Sequence, residues 1–495
     1  MADKKMYLTN EGYRCYRQSL LLVLIAAINR VFPDAVYEVH QSVNRSTYVE
    51  FSNISLHPED ITKIKDMMTN LVDSKFPLTK GTVPKERVSE ALKKAGNFEL
   101  AEKILNTPKE TFTYFKDSGK YYGIYAEIVD TAEELTEFEL MPFESGFLLR
   151  YPHPGYSGSY PPFIWGEKII KTIDEYRQWN EVTGISNVFD LNREINAGNT
   201  REIINIAEII HEKEISDIAE SIKNDANRKV IMIAGPSSSG KTTFANRLML
   251  HLRANGLKPL VISLDDYFLD ADKSPRTEDG KPDFETFDSL DSALFRQNLR
   301  EMAEGKTVLL PKFDFHTSTR SSETREVKLD RSSVVIVEGI HALNERLIEG
   351  VPTQYLYRIY CSALTALCFD NVNPISPTDT RLLRRMIRDS RYRNCPAVKT
   401  YELWENVTKS EIKTIFPYEH NADVIFNSST YYEFSFYKPV ACELLEDALK
   451  VPGEHQVAYK RLYDMLSYFE PVDGKYVPPM SIMREFMGGS SIRYK

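Results

Sequence analysis

After Arg228 the chain alternates short apolar, β-rich runs with longer amphipathic ones: VIMIAG, LVISLDD, SSVVIVEGI, YLYRIYCS and ADVIFNS, separated by segments of helical spacing. Strands alternating with helices predict a parallel sheet covered on both faces. Upstream the pattern is different. Leu20 to Ile28 (LLLVLIAAI) is apolar throughout and continues into NRVF, as a buried amphipathic helix does. The run is too short to span a bilayer, although with Arg14 and Arg17 before it, it also mimics the apolar part of an export signal. Alternating segments such as TYVEF and YYGIYAEIV lead to the Pro/Gly/Tyr-rich stretch YPHPGYSGSYPP, a linker or surface loop. The run TREIINIAEIIHEKEISDIAESI is helical by periodicity. These textures predict four parts: 1–160, a helical connector 161–227, an α/β domain 228–435, and a helical extension 436–495.

Composition narrows the function classes. At 495 residues the chain exceeds one ordinary core, and at roughly 150 residues per domain two to four domains are expected. Apolar residues at 42% and charged residues at 27% exclude a disordered or fibrous chain. The net charge of −9 argues against broad nucleic-acid binding and favours a small-molecule partner. Cys15, Cys361, Cys368, Cys395 and Cys442 form an odd set without a CxxC pair. They read as reduced thiols, with a cytoplasmic address and no membrane attachment.

The clearest chemistry lies in Gly235 to Thr242, GPSSSGKT, directly after the run VIMIA and before the amphipathic run TFANRLMLHLRANG. It satisfies the phosphate-loop pattern GxxxxGK(S/T) with both required neighbours. Glycines let successive backbone N–H groups point inward, and the following helix adds its positive end. Gly235, Ser237, Ser238, Ser239, Gly240, Lys241, Thr242 and Thr243 are therefore expected to hold the phosphates of ATP. Lys241 would bridge the outer phosphates, and Thr242 would ligate Mg2+.

Two acids, Asp265 and Asp266, follow at the end of the run LVIS, where open parallel sheets put their ligands. One of them is expected to accept a proton from an attacking hydroxyl, as phosphoryl transfer to an alcohol requires. Glu338 ends SSVVIVE and suits a second Mg2+ position. The segment TDTRLLRRMIRDSRYRN carries Arg381, Arg384, Arg385, Arg388, Arg391 and Arg393 with only two acids among them. Such charges repel one another unless an anion arrives, so a lid closing on phosphate is expected.

Together GPSSSGKTT, SLDDYF, PKFDFHTSTR, VIVEGI and TRLLRRMIRDSRYR resemble the uridine kinase and phosphoribulokinase family of P-loop kinases over roughly 228 to 430. The resemblance implies a P-loop NTPase fold of the α/β class, its parallel sheet flanked by helices, and ATP and Mg2+ as cofactors. It makes Asp266 the general base and a Mg2+ ligand, with Asp265 as supporting structure, and links Glu338 to Mg2+. It assigns lid roles to Arg385, Arg388 and Arg393; Cys395 stands where the family has a further arginine, so Arg391 is the substitute. On the acceptor side Glu285 matches an aspartate that holds ribose hydroxyls. Phe313 and Ser318 stand where a tyrosine and a histidine meet the pyrimidine, with His316 nearby, while Arg320 is retained. Phenylalanine cannot hydrogen-bond a base edge. The acceptor is thus read as a nucleoside, with a sugar, a sugar phosphate or a vitamin precursor as the alternative. Arg276, in KSPRTEDGK, would matter for an anionic acceptor.

QSLLLVLIAAINRVFPDA and TYVEFSNISLHPEDITKIKDMMTNLV resemble the additional, editing domain of threonyl-tRNA synthetases. The resemblance implies an α+β domain before the connector. Its HxxxH histidines fall on Gln18 and Leu22, and a metal site without ligands cannot work. The competing function is a nucleotide-gated regulator that senses tRNA through this domain. A homo-oligomer is compatible with either reading.

Overall fold

In the computed structural model, which describes residues 5–94, 98–277, 280–315, 317–365 and 367–494 and leaves aside the side chains of Gln41 and Glu99, the run Leu20 to Ile28 lies inside helix α1, Asn10–Val31. Thr9 caps α1 by accepting the Gly12 N–H, which satisfies one of the unpaired donors of the first turn. Every residue from Leu20 to Ile28 is buried, so the run builds a core. No helix among the described residues is long and apolar enough to cross a membrane.

The chain folds as two compact units, each assembled from three stretches. Residues 1–203, 365–380 and 430–474 form the first, and 204–364, 381–429 and 475–495 the second. This division differs from contiguous boundaries at 160, 227 and 435. Periodicity identifies a helix but not the core in which its apolar stripe is buried. Residues 204–224 thus fold with the second unit and 436–474 with the first.

The first unit is α+β. Its four-stranded antiparallel sheet runs in the order Tyr37–Val43, Ser46–Phe51, Gly146–Arg150, Glu139–Phe143. Val49 and Phe147 from the sheet join Ile64 and Met68 of the helix Pro58–Asp73 and the apolar face of α1 in one core. A second antiparallel sheet contains Lys80–Pro84, Thr111–Asp117 and Lys120–Gly123, and Cys368–Asp370 pairs with Asn373–Pro374. Gln18 Nε2 donates to Asn373 Oδ1 at 3.1 Å, and Leu22 is fully buried.

In the second unit the five apolar runs form five parallel strands: β1 Val230–Ala234, β2 Lys258–Ser263, β3 Ser333–Glu338, β4 Leu356–Ser362 and β5 Val424–Asn427. Their order is β5-β4-β1-β3-β2. The chain leaves β1 for the β2 side, returns through β3 and then crosses to β4, so the direction of winding reverses at β1. Ligands of open α/β sheets bind outside the carboxyl ends of strands at such a reversal. Register aligns Glu338 with Ser263 and with Ile233 there. Helix α2, Lys241–Ala254, follows β1 directly. Helices α3, Pro377–Tyr392, and α4, Ala397–Thr414, precede β5.

Candidate active site

The loop between β1 and α2 requires its glycines and bends through left-handed backbone. A Cβ on Gly235 would lie 1.9 Å from the Cys361 carbonyl oxygen, so only glycine allows that approach. Ser238 and Gly240 have φ of 60° and 85°, which turns successive N–H groups inward. Two carboxylates stand at these donors. Glu411 Oε1 accepts the Ser237 N–H at 3.0 Å. Glu485 Oε2 accepts the Thr243 N–H at 3.2 Å and also its hydroxyl. Both acceptors are carboxylate oxygens, the kind of anionic group that backbone N–H donors at a helix N-terminus favour. Ser238 Oγ and Ser239 Oγ are buried without a hydrogen-bond partner among the described residues, which suits a ligand rich in acceptors. Lys241 Nζ donates to the Pro236 carbonyl at 3.0 Å.

The strand-end acids separate into two environments. Ser263 Oγ donates to Glu338 Oε1 at 2.7 Å. Burial pushes the Glu338 carboxyl up to about 7; the negative charge of Asp265 adds to this, and Lys241 opposes it. Asp265 also acts electrostatically on Glu285 and on Arg393. Asp266 instead accepts the Phe313 N–H at 3.3 Å and acts on Tyr267 and Lys312. Asp265 is thus the acid whose charge acts on both Glu338 and Glu285, while Asp266, expected to be the base, accepts the Phe313 N–H; the two adjacent acids share the turn Leu264–Tyr267.

Helix α3 packs directly on the loop. Arg381 pairs with both oxygens of the buried Glu411, at 2.6 and 2.9 Å, and donates to the Ser237 carbonyl at 3.2 Å. Arg384, fully buried, donates to the Ser428 carbonyl at 3.0 Å and the Ser238 carbonyl at 3.4 Å. Arg385 donates to Ser237 Oγ at 2.9 Å. Asp389 collects Arg385, Arg388 and Arg393 at 3.3, 2.8 and 3.6 Å. The repulsion expected within this helix is thus partly offset by Glu411 and Asp389 before any phosphate arrives. Asp389 lies within the run TRLLRRMIRDSRYR, whereas Glu411 and Glu485 carry no motif that singles them out in the sequence.

On the acceptor side, burial pushes Glu285 up to about 6, with Arg385 opposing and Glu411 and Asp265 adding to the rise. Phe313 is buried in a ring cluster with Phe268 and Phe284, at centroid distances of 5.7 Å to each. Ser318 adopts φ of 53°, and its carbonyl accepts the Ala271 N–H. Arg320 turns to Asp291 at 3.2 Å and to the Phe268 carbonyl at 3.4 Å. Arg276 is exposed and donates to Gly280 of its own loop at 2.9 Å, so the structure does not bring it to the other site residues. His316 lies outside the described residues.

A family model described as "Phosphoribulokinase / Uridine kinase family" matches residues 230–434. A uridine kinase of Macrococcus caseolyticus is 31% identical over 160 residues, which is 32% of this chain and 68% of that protein. A uridine kinase of Staphylococcus aureus is 30% identical over 164 residues, 33% of this chain and 70% of that one. The uridine kinase of Staphylococcus haemolyticus is 29% identical over 201 residues, 40% and 87% respectively. Through this segment the chain belongs to the phosphoribulokinase/uridine kinase family and is a phosphotransferase with a hydroxyl acceptor.

Proposed function

We propose that the second unit transfers the γ-phosphate of ATP to the 5′-hydroxyl of a nucleoside. The observation that carries this reading is the shared neighbourhood of Lys241, Asp265 and Glu285. Asp265 acts both on Glu338, beside Lys241, and on Glu285, beside Arg385. A carboxylate between the lysine of the outer phosphates and the acid of the acceptor can take the hydroxyl proton as the phosphoryl group transfers. Asp265 is accordingly the general base.

Thr242, Asp265 and Glu338 would hold Mg2+. The mutual repulsion of Asp265 and Glu338 is what a divalent cation relieves, and the bound ion would neutralise charge on the outer phosphates. Arg385, Arg388 and Arg393 stabilise the charge of the transferring group. Glu285 accepts hydrogen bonds from acceptor hydroxyls, and the ring cluster around Phe313 offers a flat apolar face to a base. Such a face discriminates among bases less sharply than hydrogen bonds would. For the first unit, the resemblance to a synthetase editing domain supports binding rather than hydrolysis, given Gln18 and Leu22 in place of the two histidines.

ADP release with a panel of nucleosides and sugars, with and without bulk tRNA, tests this. A nucleoside is expected to stimulate turnover strongly; turnover that requires tRNA, or that responds to sugars alone, overturns the reading. Asp265→Asn is expected to lower kcat by about 10² to 10⁴, while Asp266→Asn stays near wild type. The reverse order would return the base to Asp266.

A further inference from the structure

The first unit contains a cavity of about 60 Å³, lined among others by Arg14, Arg17, Asp379 and Arg461. A single water needs roughly 10–15 Å³ on this measure, so a group of several heavy atoms fits. Two of the arginines are already neutralised. Arg14 pairs with Asp379 at 2.7 Å and with Glu11 at 3.5 Å. Arg461 pairs with the same two acids, at 2.8 Å to Asp379 and 3.1 Å to Glu11. Burial alone would raise the Asp379 carboxyl, but Arg14 and Arg461 hold it below the ordinary carboxylate range. Asp379 therefore stays ionised, and this four-residue cluster is balanced.

Arg17 is left over. One turn after Arg14 on α1, it lines the same cavity and makes no hydrogen bond or ion pair among the described residues. A guanidinium in this setting presents a fork of donors that matches a carboxylate or a phosphate. The wall beyond it includes Tyr125 and Phe369, stacked at 4.1 Å with 9° between their planes, which gives a carbon skeleton an apolar surface. We propose that this cavity is a second ligand site, separate from the phosphate loop, that takes a compact oxyanion, either the carboxylate or the phosphate of a small metabolite, with Arg17 as its recognition residue.

The test uses the full chain carrying Lys241→Ala, so that the phosphate loop does not dominate anion binding, and titrates it with inorganic phosphate and, separately, with malonate by calorimetry. Saturable binding of one or both probes is expected, and the probe that binds identifies the source of the oxyanion. Adding Arg17→Ala should weaken that binding at least about tenfold, and Arg17→Lys should restore part of it, since the charge returns without the fork. Failure of both probes to bind, or equal binding after Arg17→Ala, overturns the proposal. Arg17 has no hydrogen bond or ion pair to lose among the described residues and acts on Asp379 and Tyr13 only through its charge, so its loss should shift Tm little. Kinase activity of the wild-type chain, measured in parallel, keeps this outcome independent of the phosphotransferase reading.

Discussion

Burial, with the nearby charges of Glu411 and Asp265 adding to it, pushes the carboxyl of Glu285, the residue proposed to bind the acceptor hydroxyls, up to about 6. Acceptor binding through the ionised form should weaken as pH falls through that value. The KM for the acceptor is expected to rise below about pH 6, and Glu285→Gln should flatten that limb at the cost of a higher KM throughout. Stability moves in the opposite sense. The folded value lies above that of an unfolded carboxylate, so ionisation in the window between them costs stability as pH rises. Glu285→Gln should therefore raise Tm at pH 8 by about 2 °C and leave it nearly unchanged at pH 4.5; an equal shift at both would show that the effect is not electrostatic. Such environments are not legible from spacing. In SLDDYF both acids follow a strand, yet Asp265 acts on Glu338 while Asp266 accepts the Phe313 N–H.

The scale of elements was more legible. Five apolar runs became the five strands of one parallel sheet, because residues buried on both faces leave a continuous β-branched signal. The glycine-rich loop and the arginine helix also stood out, since their composition departs from that of an ordinary solvated segment. What periodicity could not reveal was the partner of that helix, because Glu411 lies on α4, about thirty residues away, in the unremarkable run KSEIKT. Removing it leaves Arg381 buried and unpaired, with the Ser237 N–H bereft of its acceptor. Glu411→Ala is expected to cost about 3–5 kcal/mol in urea unfolding. A loss below about 1 kcal/mol would mean that Arg381 finds water instead. Arg381→Met combined with Glu411→Leu, which removes both charges, should recover much of the loss.

Across the whole molecule, the phosphate loop is completed by residues far along the chain. Ile482 closes on Gly240, where an added Cβ would come within 2.6 Å of it, and Glu485 occupies the Thr243 donors. A nucleotide phosphate that uses those donors has to displace this carboxylate. Glu485→Ala is expected to tighten ATP binding by roughly tenfold, about the worth of one charged hydrogen bond; a weaker Kd would instead make Glu485 a support of the loop. The segment that does this, 475–495, is separated from the rest of its unit by 430–474, which folds with the other unit. No pair of cuts therefore frees this kinase as a cassette. A fragment that copied only 228–435 would leave Ile482 and Glu485 behind, and its phosphate loop would lose both the cover on Gly240 and the carboxylate on Thr243.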